Sequence, residues 1–348
     1  MTPAESVAAV LWLGTMIYAI FGGADFGAGL WDLLAGNDRR GAAQRDLIDR
    51  AVGPVWEANH TWLIFDLVIL WSAFPGAFAA ITSTLYLPLA LAAVGIVLRG
   101  SGFAFRKVSL RLTGHRAFGL TFALSSVVTP FFLGTVLGGI ASGRVPPEGG
   151  GDPLTSWLNP TSLAVGLLAV AAGAYIAAAF LTADARRSAP TLVDEFRRRT
   201  LAAGIVAGAL AIAGLLVLRV DAPRLFAGLT GSGLPFVVAS VVAGAASLVL
   251  CVVADARWTR AMAIVAVATV VLGWGVAQYP LMLPPDLTIA AAAAPDGTLQ
   301  ALTVISIAAV VVIGPSLGLL FWLHQQSRLD VKPEAGQRLS PGSRRPPP

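Results

Sequence analysis

Apolar runs of about 18 to 25 residues, the length that carries a helix across roughly 30 Å of hydrocarbon, recur along the chain from residue 6 to residue 324. They place spans near residues 6–34, 56–80, 84–105, 117–141, 161–183, 201–219, 235–254, 259–280 and 300–324. The fold class this predicts is an all-α polytopic membrane protein, whose nine transmembrane helices fit two four-helix bundles plus one peripheral helix. Only 12% of the 348 residues are charged and the mean hydropathy is +0.76, which sets aside a soluble class. The first run follows Glu5 rather than a basic stretch and is too long for a signal-peptide core, so it is expected to stay as a span. Between the second and third spans, Phe74-Pro75-Gly76 and Thr82-Ser83-Thr84 mark a tight turn. Residues 1–328 read as one transmembrane domain. Residues 329–348 are rich in Pro, Ser and Arg, with too few apolar groups to pack, and are expected to form a disordered cytoplasmic tail.

The basic residues choose an orientation. Loops after odd-numbered spans hold 21 of the 24 Lys and Arg residues, among them Arg39, Arg40, Arg45, Arg50, Arg99 and Arg197 to Arg199. Loops after even-numbered spans hold only Arg144, Arg219 and Arg224. Positive charge collects on the cytoplasmic side, so the amino terminus is expected outside and the carboxyl terminus in the cytoplasm. A sequence pI near 10 does not point to nucleic acid. The basic residues sit in short loops between spans and form no aromatic-laced surface. Cys251 is the only cysteine, which leaves no disulfide framework and no Cys-x-x-Cys-His haem attachment. Neither Lys107 nor Lys332 follows a glycine, so a Walker A loop is absent. Pairs such as Gly23/Gly27, Gly134/Gly138, Gly204/Gly208 and Gly314/Gly318 are expected to let helices approach closely in lipid.

Acids inside apolar spans are the candidates for function, because an intramembrane carboxylate is costly unless it pairs, meets water or handles charge. Asp25 lies in Phe21-Gly-Gly-Ala-Asp-Phe-Gly-Ala-Gly29, whose glycines clear space for water or a neighbouring helix. It can handle charge, cap a broken helix or pair with a nearby arginine. Glu57 opens the second span after Gly53-Pro54, a position where an acid also complements the helix dipole. With Asn59 and Thr61 close by, it can hold a short water chain of the kind a proton wire requires. Asp66 is nine residues further on, nearly the opposite face, so it forms no dyad with Glu57 and must meet a different partner helix. Arg99 is the counter-ion candidate for Glu57 or Asp25, with a topology anchor as its plainer role. Of three histidines only His60 lies in the apolar part of a span, too few to ligate several haems. No haem or metal is expected in this chain. Trp56, Trp62 and Trp71 are expected to pack or to line a cavity.

Gly23-Ala-Asp-Phe-Gly-Ala-Gly, Gly53-Pro-Val-Trp-Glu-Ala-Asn-His-Thr-Trp-Leu-Ile, Arg99-Gly-Ser-Gly-Phe-Ala-Phe-Arg and Gln278-Tyr-Pro-Leu-Met-Leu-Pro resemble subunit II of the cytochrome bd quinol oxidases. The resemblance covers all nine spans in order and stops before the tail. It implies a respiratory complex of the bacterial cytoplasmic membrane that passes electrons from quinol to dioxygen and makes water. It places two b-type haems and haem d, with quinol oxidation, in a partner subunit I, and leaves the isolated subunit II without activity. It carries a proton-path role to Glu57 and Asp25 and an oxygen-route role to Trp62; by their positions Arg99, Asn59, Thr61 and Asp66 are expected in support. It leaves room for a structural quinone here and for small single-helix accessory subunits. Some relatives have Asp where this chain has Glu57, which keeps the acid and moves it by one methylene. The competing readings are a secondary transporter or proton/ion channel subunit, and a purely structural partner with its acids paired. Transporters break helices at mid-membrane in repeated halves, whereas the Pro/Gly breaks here fall mostly at helix ends.

Overall fold

In lipid a backbone must satisfy its own hydrogen bonds, so long apolar runs close into helices, and helices make up nearly all of this computed structural model. It describes residues 1–36, 38–52, 56–108, 112–253 and 256–325. The expected 329–348 tail lies outside them. The helices are α1 Pro3–Leu33, α2 Arg39–Val52, α3 Trp56–Ala73, α4 Pro75–Thr84, α5 Tyr86–Val108, α6 Leu112–Ala141 and α7 Pro160–Ser188. They continue with α8 Val193–Asp221, α9 Pro223–Thr230, α10 Leu234–Val253, α11 Ala256–Gln278, α12 Ile289–Ala292 and α13 Asp296–Gln325. Among the described residues six helices are long and apolar enough to cross a membrane on their own: α1, α6, α7, α8, α10 and α11. Contacts divide the chain into Met1–Thr303 and Val304–Pro348. The first unit holds every helix but the end of α13. The described part of the second unit is that remainder of α13, with Pro315 inside it.

Helix α1 starts with a capping box. The Glu5 amide donates to Thr2 Oγ1 (3.2 Å), the Thr2 amide donates to Glu5 Oε2 (2.8 Å), and Pro3 sits in the first turn, where no amide is missed. It runs unbroken through Gly22, Gly23 and Asp25 for 31 residues, so Asp25 caps no broken helix. Helix α1 packs against α3, α6, α7 and α11; α7 packs against α6, α8 and α11; α5 lies on α6 and α10 on α11 and α8. The crossing of α1 and α7 is tight because a Cβ at Gly27 would run into the Gly173 backbone, as the small-residue pairing predicts. Side chains tie helices together through backbone carbonyls: Trp12 Nε1 donates to Val271 O and Trp31 Nε1 to Ala174 O, both at 2.9 Å.

The expected 56–80 span and the tight turn after it need correcting. Helix α3 ends at Ala73, and α4 leaves it at 118° as a separate short helix that leads into α5. Pro75 has no amide to extend α3 and suits the first turn of α4. Ala73, Phe74, Ala77 and Leu85 are all fully buried at this corner, so apolar packing fixes the bend. The segment after α11 covers it. Its strands β1 Leu281–Leu283 and β2 Leu287–Thr288 pair antiparallel, Met282, Leu283 and Ala292 join the cluster, and the Ala294 amide donates to Ala73 O at 2.8 Å.

Two features have no counterpart in the hydropathy pattern. Helix α2, which low hydropathy marks as a loop, buries Gly41, Gln44, Leu47 and Ile48 at helical spacing and exposes Arg39, Arg40 and Arg50. At the opposite end of the bundle, Asp221 binds Arg144 bidentately, with Nη2–Oδ1 at 2.6 Å and Nη1–Oδ2 at 3.1 Å. Its Oδ2 also accepts from the Thr161 amide and hydroxyl, which locks the ends of α6, α7 and α8 together.

Candidate functional site

Helices α1, α5 and α6 converge on a buried ion pair. Asp25 and Arg99 have side chains only 1% exposed, and Arg99 Nη2 donates to Asp25 Oδ1 at 2.6 Å and to the Asp25 carbonyl at 2.9 Å. Arg99 Nη1 donates to Ser126 Oγ, which is seated by its bond to Phe122 O. The guanidinium also lies 4.3 Å from the Phe122 ring centroid and 5.0 Å from that of Phe26, where the ring faces favour a cation. Of the two partners open to Arg99, Asp25 is bound, and the Glu57 side chain lies outside the described residues. Asp25 Oδ2 and Arg99 Nε are buried and make no hydrogen bond among the described residues. A polar atom in that condition costs about 1–3 kcal/mol unless water reaches it, so the pair has one acceptor and one donor left over.

A second polar station lies about 15 Å further along α1, ten residues at 1.5 Å each. There Thr15 Oγ1 donates to Asp66 Oδ2 at 3.0 Å. Gly14 makes this approach possible, since a Cβ at that position would collide with Asp66 Oδ1. Asp66 thus finds its partner on another helix, α1. Between the stations lie His60 and Tyr18, with ring centroids 6.4 Å apart; His60 also packs 5.8 Å from Phe26. The Tyr18 hydroxyl is buried without a hydrogen-bond partner among the described residues. The α1 face therefore carries a line of polar groups from Asp25 and Arg99 through Tyr18 to Asp66 and Thr15.

The other predicted residues divide. Glu57 occupies the second position of α3, and its side chain, like that of Trp56, lies outside the described residues. Asn59 is buried, while Thr61, about 200° away around the helix, is exposed on this chain. Asn59 and Thr61 therefore lie on different faces of α3, and the expected water chain at Glu57 rests on a side chain outside the described residues. Trp62 is half-buried and meets Phe65 edge-on at 6.0 Å. Trp71 is 63% exposed and stacks on Phe78, so it lines no cavity within this chain. Thr15, Tyr18 and Ser126 went unnoticed in the sequence. The Ser125-Ser126 pair inside an apolar run was the visible signal for one of them. No group of three metal-ligating side chains occurs among the described residues.

Residues 4–324 match the family model described as cytochrome bd terminal oxidase subunit II. Cytochrome bd ubiquinol oxidase subunit 2 of Bacillus subtilis (strain 168) is 28% identical over 128 residues, 37% of this chain. That alignment spans only 36% of the relative's length. A second B. subtilis protein, whose provisional name is that of a cytochrome bd menaquinol oxidase subunit II, is 22% identical over 92% of this chain and 95% of its own. A chain in the structure of bd oxidase from Geobacillus thermodenitrificans superposes with a TM-score of 0.77 at 26% identity, covering 95% of this chain and all of that one.

Proposed function

Because the chain belongs to the cytochrome bd terminal oxidase subunit II family, we propose that it is the non-haem subunit of a complex that oxidises quinol and reduces dioxygen to water. Subunit I is its partner, and the haems reside there. That placement is supported by the sequence, where only His60 of three histidines lies in the apolar part of a span. The spans number nine when α3, α5 and α13 join the six self-sufficient helices. Helices α1, α3, α5 and α6 form one bundle and α7, α8, α10 and α11 the other, with α7 packed against α1 and α6 between them. The arginine-rich ends face the cytoplasm.

Making water from dioxygen consumes protons, and this chain supplies a route for them. The observation that carries this reading is the buried Asp25–Arg99 pair with its open Oδ2. Glu57 takes protons at the mouth of α3. Asp25 holds a hydrogen-bonded water at Oδ2, Arg99 compensates its charge, and Ser126 fixes the guanidinium. The route then leaves this chain toward subunit I. Trp62 stands beside the oxygen route. In the assembled complex, Glu57→Gln and Asp25→Asn are each expected to lower quinol-driven oxygen consumption at least tenfold while haem absorption is retained. Full turnover in both variants removes this chain from proton delivery. The transporter and channel reading is not favoured by any feature of the site.

A further inference from the structure

The arginine-rich end carries a second polar constellation that the proton route does not use. The end of α1, the start of α2 and the first turns of α8 enclose a cavity of about 500 Å³, lined chiefly by Trp31, Arg40, Asp194, Glu195, Arg198 and Arg199. Sites for small ligands span roughly 300–1,000 Å³. Glu195 is already taken, with Oε2 2.9 Å from Arg40 Nη2 and Oε1 3.2 Å from Arg199 Nη2. Arg199 Nη2 also donates to Gln44 Oε1 at 2.8 Å, and its guanidinium stands 5.2 Å from the Trp31 ring and 5.0 Å from that of Phe196. That leaves donors over. Arg199 Nη1 is buried with no hydrogen-bond partner among the described residues, and Arg198 lines the cavity as an exposed guanidinium open to a ligand. Three guanidinium groups face two carboxylates, one of which, Asp194, is exposed. A cavity with surplus guanidinium donors selects an anion with several oxygens, and the planar fork of arginine matches phosphate.

What lies below the cavity narrows the choice. Ala202 forms part of its wall, and Ile205, Ala209, Ile212 and Leu216 follow it down α8 at alternating steps of three and four, all exposed. That spacing makes one apolar stripe along a helix long and apolar enough to cross the bilayer. A basic pocket at the end of a lipid-facing stripe has the layout of a lipid site, with the head in the pocket and an acyl chain along the helix. We propose that this pocket holds the phosphate headgroup of an anionic phospholipid, with Arg198 and Arg199 as its donors and Arg40 as its rim. The proposal is independent of the oxidase reading.

The test measures thermal unfolding of the detergent-purified complex, wild type and Arg40→Gln/Arg198→Gln, titrated with phosphatidylglycerol, phosphatidylcholine or inorganic phosphate. Phosphatidylglycerol is expected to raise the melting temperature of the wild type, as any ligand of the folded state must. The double variant should need at least ten times more lipid for the same rise, and the other two additions should leave the wild type unchanged. Equal response of wild type and variant, or no response of the wild type, overturns the proposal. Inorganic phosphate acting as well as the lipid also overturns it, making this a free-anion site. Should the variant fail to assemble, native mass spectrometry of the wild type decides. Phosphatidylglycerol retained on this subunit supports the site, and a bare subunit refutes it.

Discussion

Replacing either member of the Asp25–Arg99 pair strands a buried charge, a loss of about 3–5 kcal/mol in comparable pairs. Arg99→Gln should therefore lower the melting temperature of the complex markedly. Replacing both by apolar residues of similar volume, Asp25→Leu with Arg99→Met, removes the stranded charge and should restore most of that stability. On the proposed proton route, oxygen consumption should stay low in the double variant, because the Oδ2 acceptor has gone. A stable double variant with full turnover would mean the pair only joins α1 to α5. The acids were legible in the sequence because an ionisable side chain in an apolar run is expensive wherever it points. The pairing of Arg99 with Asp25 was not, since it depends on how three helices meet. Thr15 and Ser126 were hidden for a different reason: hydroxyls inside spans usually bond their own helix, as both of these also do.

Among the elements, the least legible was the reversal after α3. Phe74-Pro75 announces a break but not its angle, which is set by Phe74 sinking into a cluster with residues from β1 and α12. Phe74→Ala should cost about 3–5 kcal/mol. Pro75→Ala should cost little, because a first-turn proline forgoes no helical bond. Thermal unfolding of the two variants separates the causes: equal losses would mean that proline, not packing, holds the corner. Gly27→Leu should prevent α1 from reaching α7 and abolish assembly, whereas Gly208→Leu, which meets nothing within 4 Å, should be silent. Helix α2 shows the opposite problem. Its burial pattern is regular, but low hydropathy disguised it as a loop. In the segment before α7, the exposed Asp152 accepts from the amides of Leu154 (2.9 Å) and Thr155 (2.7 Å). Hydrogen bonds from Thr155 and then Leu154 hold its carboxyl below the usual range. The order this gives the turn is present above the ordinary carboxylate pKa and is lost as pH falls through the lowered one. Amide exchange over residues 153–158 should accelerate on acidification in the wild type, and should be fast and pH-independent after correction for intrinsic rates in Asp152→Ala.

For the molecule as a whole, the proposed orientation rests on the arginine bias. Two of the three arginines on the sparse side are occupied: Arg144 by Asp221, and Arg224 by the Pro285 carbonyl. A cysteine placed at Gly150 in a Cys251→Ala background should react with an impermeant maleimide in intact cells, and one placed at Arg50 should not; the reverse pattern would invert the topology. On the function proposed above, this chain serves haems that it does not hold. The visible absorption spectrum of the complex purified through this chain, set beside that of the chain released from it, decides the point. Bands of b-type and d-type haem in the complex, absent from the released chain, are the predicted result. Haem retained by the released chain, or a haem-free complex, would contradict it.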